Sequence, residues 1–141
     1  MARTKVSRGD VIFIPVGEHF ALAKVLFVSS IFKKMMLMGV SVERAFSKPE
    51  LPQELPREFG LNIYTGTQAV EAGRWSKVGH DPTPVPPELT LRIVGQEVYQ
   101  EDEALRLVTQ EDLKVLPHQR IAGAGAAESQ IQQILTGRPS V

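Results

Sequence analysis

The chain has 141 residues, of which 43% are hydrophobic and 23% are charged. This length and composition predict one globular domain with its own core and exclude a disordered chain. The 16 Lys and Arg residues balance the 16 Asp and Glu residues, so no overall field attracts the protein to nucleic acid or to an anionic membrane.

Cysteine is absent, which excludes disulfides, thiolate zinc sites and cysteine nucleophiles. The N-terminal residues are positively charged but lack an apolar run long enough for a secretion signal. The most apolar stretch, 20–32, contains Lys24 and is too short to span a bilayer as a helix. We therefore expect a cytoplasmic, non-membrane protein that forms one domain over residues 1–141, with loose termini at 1–8 and 137–141.

The first third of the chain has the composition of β-strands. Residues 10–16 and 20–28 are apolar runs joined by a short turn around Gly17, which predicts a β-hairpin. Lys24 interrupts one face of the second run, so this face is either half exposed or bulged there. A third run, 35–42, is more typical of a strand than of a helix. Its three methionines either pack in the core or form an adaptable binding surface.

Two proline clusters, at 49–56 and 82–87, predict surface loops, because proline removes a hydrogen-bond donor and restricts the residue before it. Between them, residues 61–64 read as a strand. A single helical turn follows, capped by Thr65 or Thr67, and Thr65 has capping-box spacing to Gln68. Gly73 is expected to end this turn, before a further short strand at 74–79.

The last part of the chain predicts a second hairpin and two helices. Residues 89–94 and 97–100 flank a Gly95–Gln96 turn, and 109–112 resemble the start of a short helix. Four apolar residues mark one face of an amphipathic helix: Ala127, Ile131, Ile134 and Leu135. Gly137 and Pro139 are expected to end this helix. The predicted fold is α+β, with a mainly antiparallel, strongly bent or barrel-like sheet and a C-terminal amphipathic helix packed on it.

The motifs of catalysis and of cofactor binding are missing. His19, His80 and His118 lie far apart in predicted loops, so we predict no metal site. The chain has no P-loop and no nucleophile elbow, and the glycines at 123–128 lack the third position of a dinucleotide fingerprint. We therefore assign no catalytic residues and no cofactor.

An acidic run near the second hairpin is the candidate binding site. Its members are Glu97, Tyr99, Glu101, Asp102 and Glu103. The run is either a solvated hairpin end or a surface that covers the nucleic-acid site of a basic toxin, where complementary charge would speed binding. Trp75, the single tryptophan, is expected to fill the core rather than to bind a partner.

Two segments resemble the immunity protein 26 family. Residues 9–15, Gly-Asp-Val-Ile-Phe-Ile-Pro, followed by 20–26, are similar to its opening hairpin, and 73–79 are similar to its Gly-x-Trp-x-x-x-Gly stretch. The similarity extends in register over roughly 9–135. The resemblance implies an α+β fold and a cognate toxin as protein partner in bacterial polymorphic toxin systems. It implies no catalytic residues.

Two other functions stay open at this point. The family grouping is also named with a phosphotriesterase, which would make the protein a small metal-dependent hydrolase. The balanced charge argues against a barrel-like nucleic-acid-binding module. Such a module could use five basic residues: Arg3, Lys5, Arg8, Lys33 and Lys34.

Overall fold

The structure, a computed structural model, describes residues 5–43, 45–48, 50–53, 55 and 59–136. Within these residues the elements follow in this order: β1 (Asp10–Val16), β2 (His19–Val28), β3 (Met35–Val40), β4 (Leu61–Gly66), α1 (Gln68–Glu71), β5 (Ser76–His80), a 3₁₀ turn (Pro87–Thr90), β6 (Leu91–Val94), β7 (Glu97–Gln100), β8 (Glu103–Leu107), α2 (Gln110–Val115), β9 (Ile121–Ala122) and α3 (Ala124–Thr136). The large sheet has the order β5-β1-β2-β3-β4-β9, and the small sheet has the order β6-β7-β8.

The large sheet is covered on both faces, which explains why β1, β2 and β3 are apolar along their whole length. On one face, Ala127 and Ile131 of α3 pack with Ile12, Ile14 and the fully buried Trp75 in the main core cluster. On the other face, side chains of β2, β3 and β4 meet the 3₁₀ turn and the segment before it. The fold is therefore layered, with α3 on one side of the large sheet.

The α+β class and the C-terminal helix are confirmed, but the sheet does not close into a barrel. Within the described part of the chain, β5 and β9 are the two open ends of the large sheet. The proline-rich segment after β5 cannot extend the hydrogen-bonded ladder, because proline lacks the N–H donor. The strands that follow pair with one another and form the separate small sheet.

Local predictions differ in outcome. The hairpin β1–β2, the strand β4 and the Gly95–Gln96 turn are confirmed, and Gly73 follows α1 with a φ of +84°. The predicted cap at Thr65 is wrong, because this residue lies in β4 and its hydroxyl donates to the carbonyl of Ala122. Thr67 is the residue before α1, although its side chain makes no capping hydrogen bond.

Lys24 lies in a bulged strand and is nevertheless buried. The register between β2 and β3 shifts between Val25 and Phe27. The ammonium group of Lys24 donates to the carbonyl of Thr83 at 2.8 Å and lies 3.3 Å from a carboxylate oxygen of Asp81. The half-exposed alternative is wrong, because these two partners satisfy the buried charge, and the bulge lies at Leu26, two residues beyond the predicted position.

Residues 1–4 and 137–141 of the predicted loose termini lie outside the described residues, as do both predicted stop residues of α3. Val6 packs against the main core cluster, and the amide of Ser7 donates to Asp10 at 2.7 Å. Among the described residues, we find no helix with the length and apolar character needed to cross a bilayer.

Candidate interaction surface

Arg92 joins the small sheet to the large sheet. This residue of β6 is fully buried, and its guanidinium carbon lies 5.3–6.0 Å from the ring centroids of four aromatic side chains. These rings belong to Phe27, Phe32, Tyr64 and Tyr99. Such cation–π contacts stabilise a charge that has lost its water. Burial is also the main reason why the pKa of Arg92 lies below its ordinary value.

The hydrogen bonds of Arg92 connect three segments. Its Nη1 donates to the carbonyls of Thr90 and Glu101, and its Nε donates to the side-chain oxygen of Gln119 at 3.0 Å. Nη2 has no hydrogen-bond partner among the residues that the structure describes. Arg92 thus ties the entry of β6, the β7–β8 turn and the segment after α2 to one point.

Asp102 fastens the β7–β8 turn to the large sheet. Its carboxylate accepts hydrogen bonds from the hydroxyl of Ser29 at 2.5 Å, and from the amide and the hydroxyl of Ser30 at 2.7 and 2.8 Å. Partial burial acts to raise the pKa of Asp102, but these donors, together with the charge of Arg92, outweigh it and hold the pKa below its ordinary value.

Of the five residues of the predicted binding site, three contact other parts of the protein and two are exposed. Glu101 and Asp102 hold the turn in place, since Glu101 also pairs with Arg8 at 2.6 Å. Tyr99 contacts Arg92 and Phe32, with ring centroids of Tyr99 and Phe32 5.9 Å apart. Glu97 and Glu103 are exposed, on β7 and β8. Of the four acidic side chains of the run, Glu97 and Glu103 are therefore the two that are exposed without a hydrogen-bond or ion-pair partner among the described residues.

Strand β8, which the sequence did not predict, is exposed at all five residues. Half of the exposed large hydrophobic side chains among the described residues lie on β8 and on α2, which directly follows it. They are Leu105, Leu107, Leu113 and Val115. Leu107 is 71% exposed and Val115 is 65% exposed. A concentration of apolar side chains at the surface is typical of a protein-binding site.

An ion pair holds β8 and α2 together. The guanidinium of Arg106 makes two hydrogen bonds to the carboxylate of Asp112. Asp112 also completes a capping box with Thr109 at the start of α2. These interactions lower the pKa of Asp112 far below its ordinary value, with the hydrogen bond from Arg106 as the largest cause. The two elements thus present their apolar side chains on a defined frame.

The surroundings of these apolar side chains carry unpaired negative charge. Glu97, Glu103 and Glu111 are exposed and make no ion pair with the described residues, and Lys114 is the nearby basic residue without an acidic partner there. Arg106 is already neutralised by Asp112. We use the name β8–α2 surface for the set Glu97, Glu103, Leu105, Leu107, Glu111, Leu113, Lys114 and Val115.

A second cluster of charges lies where β5 and the loop after it meet β1 and β2. The buried carboxylate of Asp10 lies 3.2 Å from Nδ1 of His80 and 3.3 Å from Nζ of Lys77. The neighbouring Lys24–Asp81 pair borders a small surface depression that is otherwise lined by apolar side chains such as Leu55 and Phe59. These contacts fasten β5 and the loop after it to β1 and β2.

The three histidines do not converge on one point. His19 begins β2, His80 ends β5, and His118 lies beside Ile93 of β6. The described residues contain no group of three or more histidine and acidic side chains that could hold a metal ion. Of the proposed basic set, Arg3 lies outside the described residues, Arg8 pairs with Glu101, and Lys34 pairs with Glu71.

Comparison of this chain with protein-family models, with curated proteins and with solved structures gives no match.

Proposed function

We propose that this protein is an immunity protein that neutralises a cognate bacterial toxin by protein–protein contact in the cytoplasm. The observation that carries the proposal is the β8–α2 surface, where two neighbouring elements expose leucine and valine side chains together with carboxylates that make no ion pair with the described residues. The resemblance of the opening hairpin and of the Gly73–Gly79 stretch to the immunity protein 26 family supports the same function.

The energetics of this surface favour a binding role. Covering the exposed part of each of these four side chains is worth about 1 kcal/mol, so together they supply a useful share of a stable interface. These exposed side chains do not belong to the core, because the buried residues of the small sheet are Arg92 on one face and the pair Ile93 and Val98 on the other. Charged groups around an apolar centre then give the interface its direction and its speed of association.

The charge of the surface indicates the kind of toxin. Three carboxylates and one lysine that make no ion pair with the described residues complement a basic protein surface, such as the substrate site of a toxin that acts on nucleic acid. Covering this site would neutralise the toxin without any chemistry on the part of the inhibitor.

The test uses the toxin domain encoded by the neighbouring gene, because immunity and toxin genes stand side by side. Co-expression should rescue the growth of cells that produce this toxin, and the two proteins should co-purify. Leu107→Asp combined with Val115→Asp should abolish both results. Ile121→Asp, which changes a side chain that is 56% exposed on β9, is the matched control and should leave both unchanged.

Failure of rescue and of co-purification with the unaltered protein would refute the proposal. Turnover of a chromogenic phosphotriester by metal-loaded protein would favour the hydrolase instead. Binding to nucleic acid that weakens steeply with added salt would favour the nucleic-acid-binding module.

A further inference from the structure

Strand β8 is the open edge of the small sheet. At the opposite edge, the amide of Ile93 donates to the carbonyl of Pro117, and the amide of Gln119 donates to the carbonyl of Ile93, both at 2.8 Å. The segment around His118 therefore covers β6. Within the part of the chain that the structure describes, β8 pairs with β7 alone.

An open edge offers backbone N–H and C=O groups to another strand, and proteins often block such edges. Strand β8 carries neither proline nor lysine, and its charged residues are Glu103 and Arg106. Its register shifts between Val98 and Tyr99, so Leu105 is an extra residue that forms a bulge. The bulge and the two charged side chains restrict which strands can pair with this edge, so pairing with β8 would be selective.

The charges decide which occupant fits this edge. A second copy of the chain would bring the same surplus of negative charge from Glu97, Glu103 and Glu111, and like charges oppose association. A segment with lysine or arginine beside apolar residues would meet Glu97 and Glu103 with opposite charge, and Leu105 and Leu107 with apolar contact. A basic heterologous strand is therefore the better match.

We propose that the toxin contributes an extended, basic and apolar segment that pairs with β8 as a fourth strand of the small sheet. This inference rests on the proposed function and specifies how the partner is bound. Backbone hydrogen bonds along β8 supply affinity, while Leu105, Leu107 and Glu103 select the side chains of the incoming strand.

The test is hydrogen exchange of the full chain, free and in complex with the toxin domain encoded by the neighbouring gene. Amides of residues 103–107 that face away from β7 should exchange at least tenfold more slowly in the complex. Glu103→Lys should weaken the affinity about tenfold at low salt, with a smaller effect at high salt. Glu50→Lys, at an exposed loop position, is the control and should bind like the unaltered protein.

The possible results distinguish the strand-pairing inference from its alternatives. A complex in which the amides of 103–107 exchange as fast as in the free protein would overturn the strand-pairing inference and leave the proposed function standing. If no complex forms with the unaltered protein, the proposed function and the strand-pairing inference are both refuted. If these amides become protected in the free protein as its concentration rises, the occupant is a second copy of the chain and the inference is wrong.

Discussion

Arg92 and Tyr99 lie directly opposite each other on β6 and β7, and the guanidinium carbon of Arg92 is 5.6 Å from the centroid of the Tyr99 ring. Residues that are paired in this way point to the same face of a sheet. Both side chains therefore face Phe27 of β2 and Phe32 of the β2–β3 loop, with Arg92 over the Phe27 ring and Tyr99 beside Phe32. This cross-strand pair fixes the orientation of the small sheet and thereby the exposure of β8 at its far edge.

Replacing Arg92 should destabilise the protein strongly. Arg92→Ala leaves the carbonyls of Thr90 and Glu101 without their buried donor and opens a space among four aromatic rings. We expect the free energy of unfolding to fall by about 3 kcal/mol, as measured by urea denaturation.

Arg92→Lys should recover little of this loss, because an ammonium group cannot reach three acceptors in the planar geometry of the guanidinium. Arg120→Ala, at an exposed position, is the control and should change the stability by less than about 0.5 kcal/mol. A similar effect of the Arg92 and Arg120 substitutions would show that Arg92 does not fasten the small sheet.

Asp102→Asn should weaken the attachment of the β7–β8 turn in a pH-dependent manner. The pKa of Asp102 in the folded protein lies below its ordinary value of 3.8. Its carboxylate therefore stabilises the fold above pH 3.8, and this contribution is lost as the pH falls through the folded-state pKa. We expect a deficit of about 1 kcal/mol for the variant at pH 7, since the group is partly exposed.

The measurement is denaturant unfolding of both proteins between about pH 2 and pH 7, a range that spans the ordinary and the lowered pKa. The difference between them should be largest near neutral pH and should shrink towards the acid end. A difference that stays constant over this range would mean that the charge of Asp102 has no part in fastening the turn.

Glu128→Ala should loosen the attachment of α3. The carboxylate of Glu128 accepts hydrogen bonds from Nε1 of the buried Trp75 at 2.8 Å and from two nitrogens of Arg74 at 2.6 and 3.0 Å. Without this acceptor the indole N–H is left unpaired, at an expected cost of about 2 kcal/mol. Thermal unfolding and hydrogen exchange in α3 would measure the loss.

Glu128→Gln keeps an oxygen that can accept from Trp75, so it should be clearly less harmful than Glu128→Ala. Trp75→Phe removes the donor instead, and in the Trp75→Phe background the cost of Glu128→Ala should be reduced. Equal costs in the two backgrounds would show that the hydrogen bond contributes nothing to the docking of α3.

Thr109→Ala should fray α2 and, with it, the β8–α2 surface. The hydroxyl of Thr109 accepts from the amide of Asp112 at 3.2 Å and forms half of the capping box. Losing this cap should cost about 1 kcal/mol and speed hydrogen exchange in Gln110–Val115. Thr109→Ser retains the hydroxyl and should behave like the unaltered protein, whereas equal behaviour of both variants would argue against the cap.

Much of the large sheet could be predicted from local pattern. The apolar runs at 10–16 and 20–28 read as strands because their side chains must be buried on both faces. The apolar spacing of α3 also identified its packing face, since Ala127 and Ile131 are buried and Leu135 packs against the core. Ile134 was the exception and is exposed, because it lies at the margin of the buried face.

Only part of the candidate surface could be predicted from the sequence. Glu97 and Glu103 were identified from the acidic run, but Glu101 and Asp102 fasten a turn, which composition cannot reveal. Strand β8 was missed because Glu-Ala-Leu-Arg-Leu is poor in β-branched residues, although the alternation of Leu105 and Leu107 was a weak signal. The role of Arg92 had no local signal, since arginine is usually exposed.

By itself, the sequence determined the α+β class, the central hairpin and the amphipathic C-terminal helix, because local apolar periodicity decides which segments can bury a face. The tertiary structure decided that the sheet stays open, that β6–β8 form a separate sheet, and that Arg92 joins the two sheets. These features depend on pairing and burial between segments far apart in the chain. Their energies arise only when the partners meet, so no local pattern encodes them.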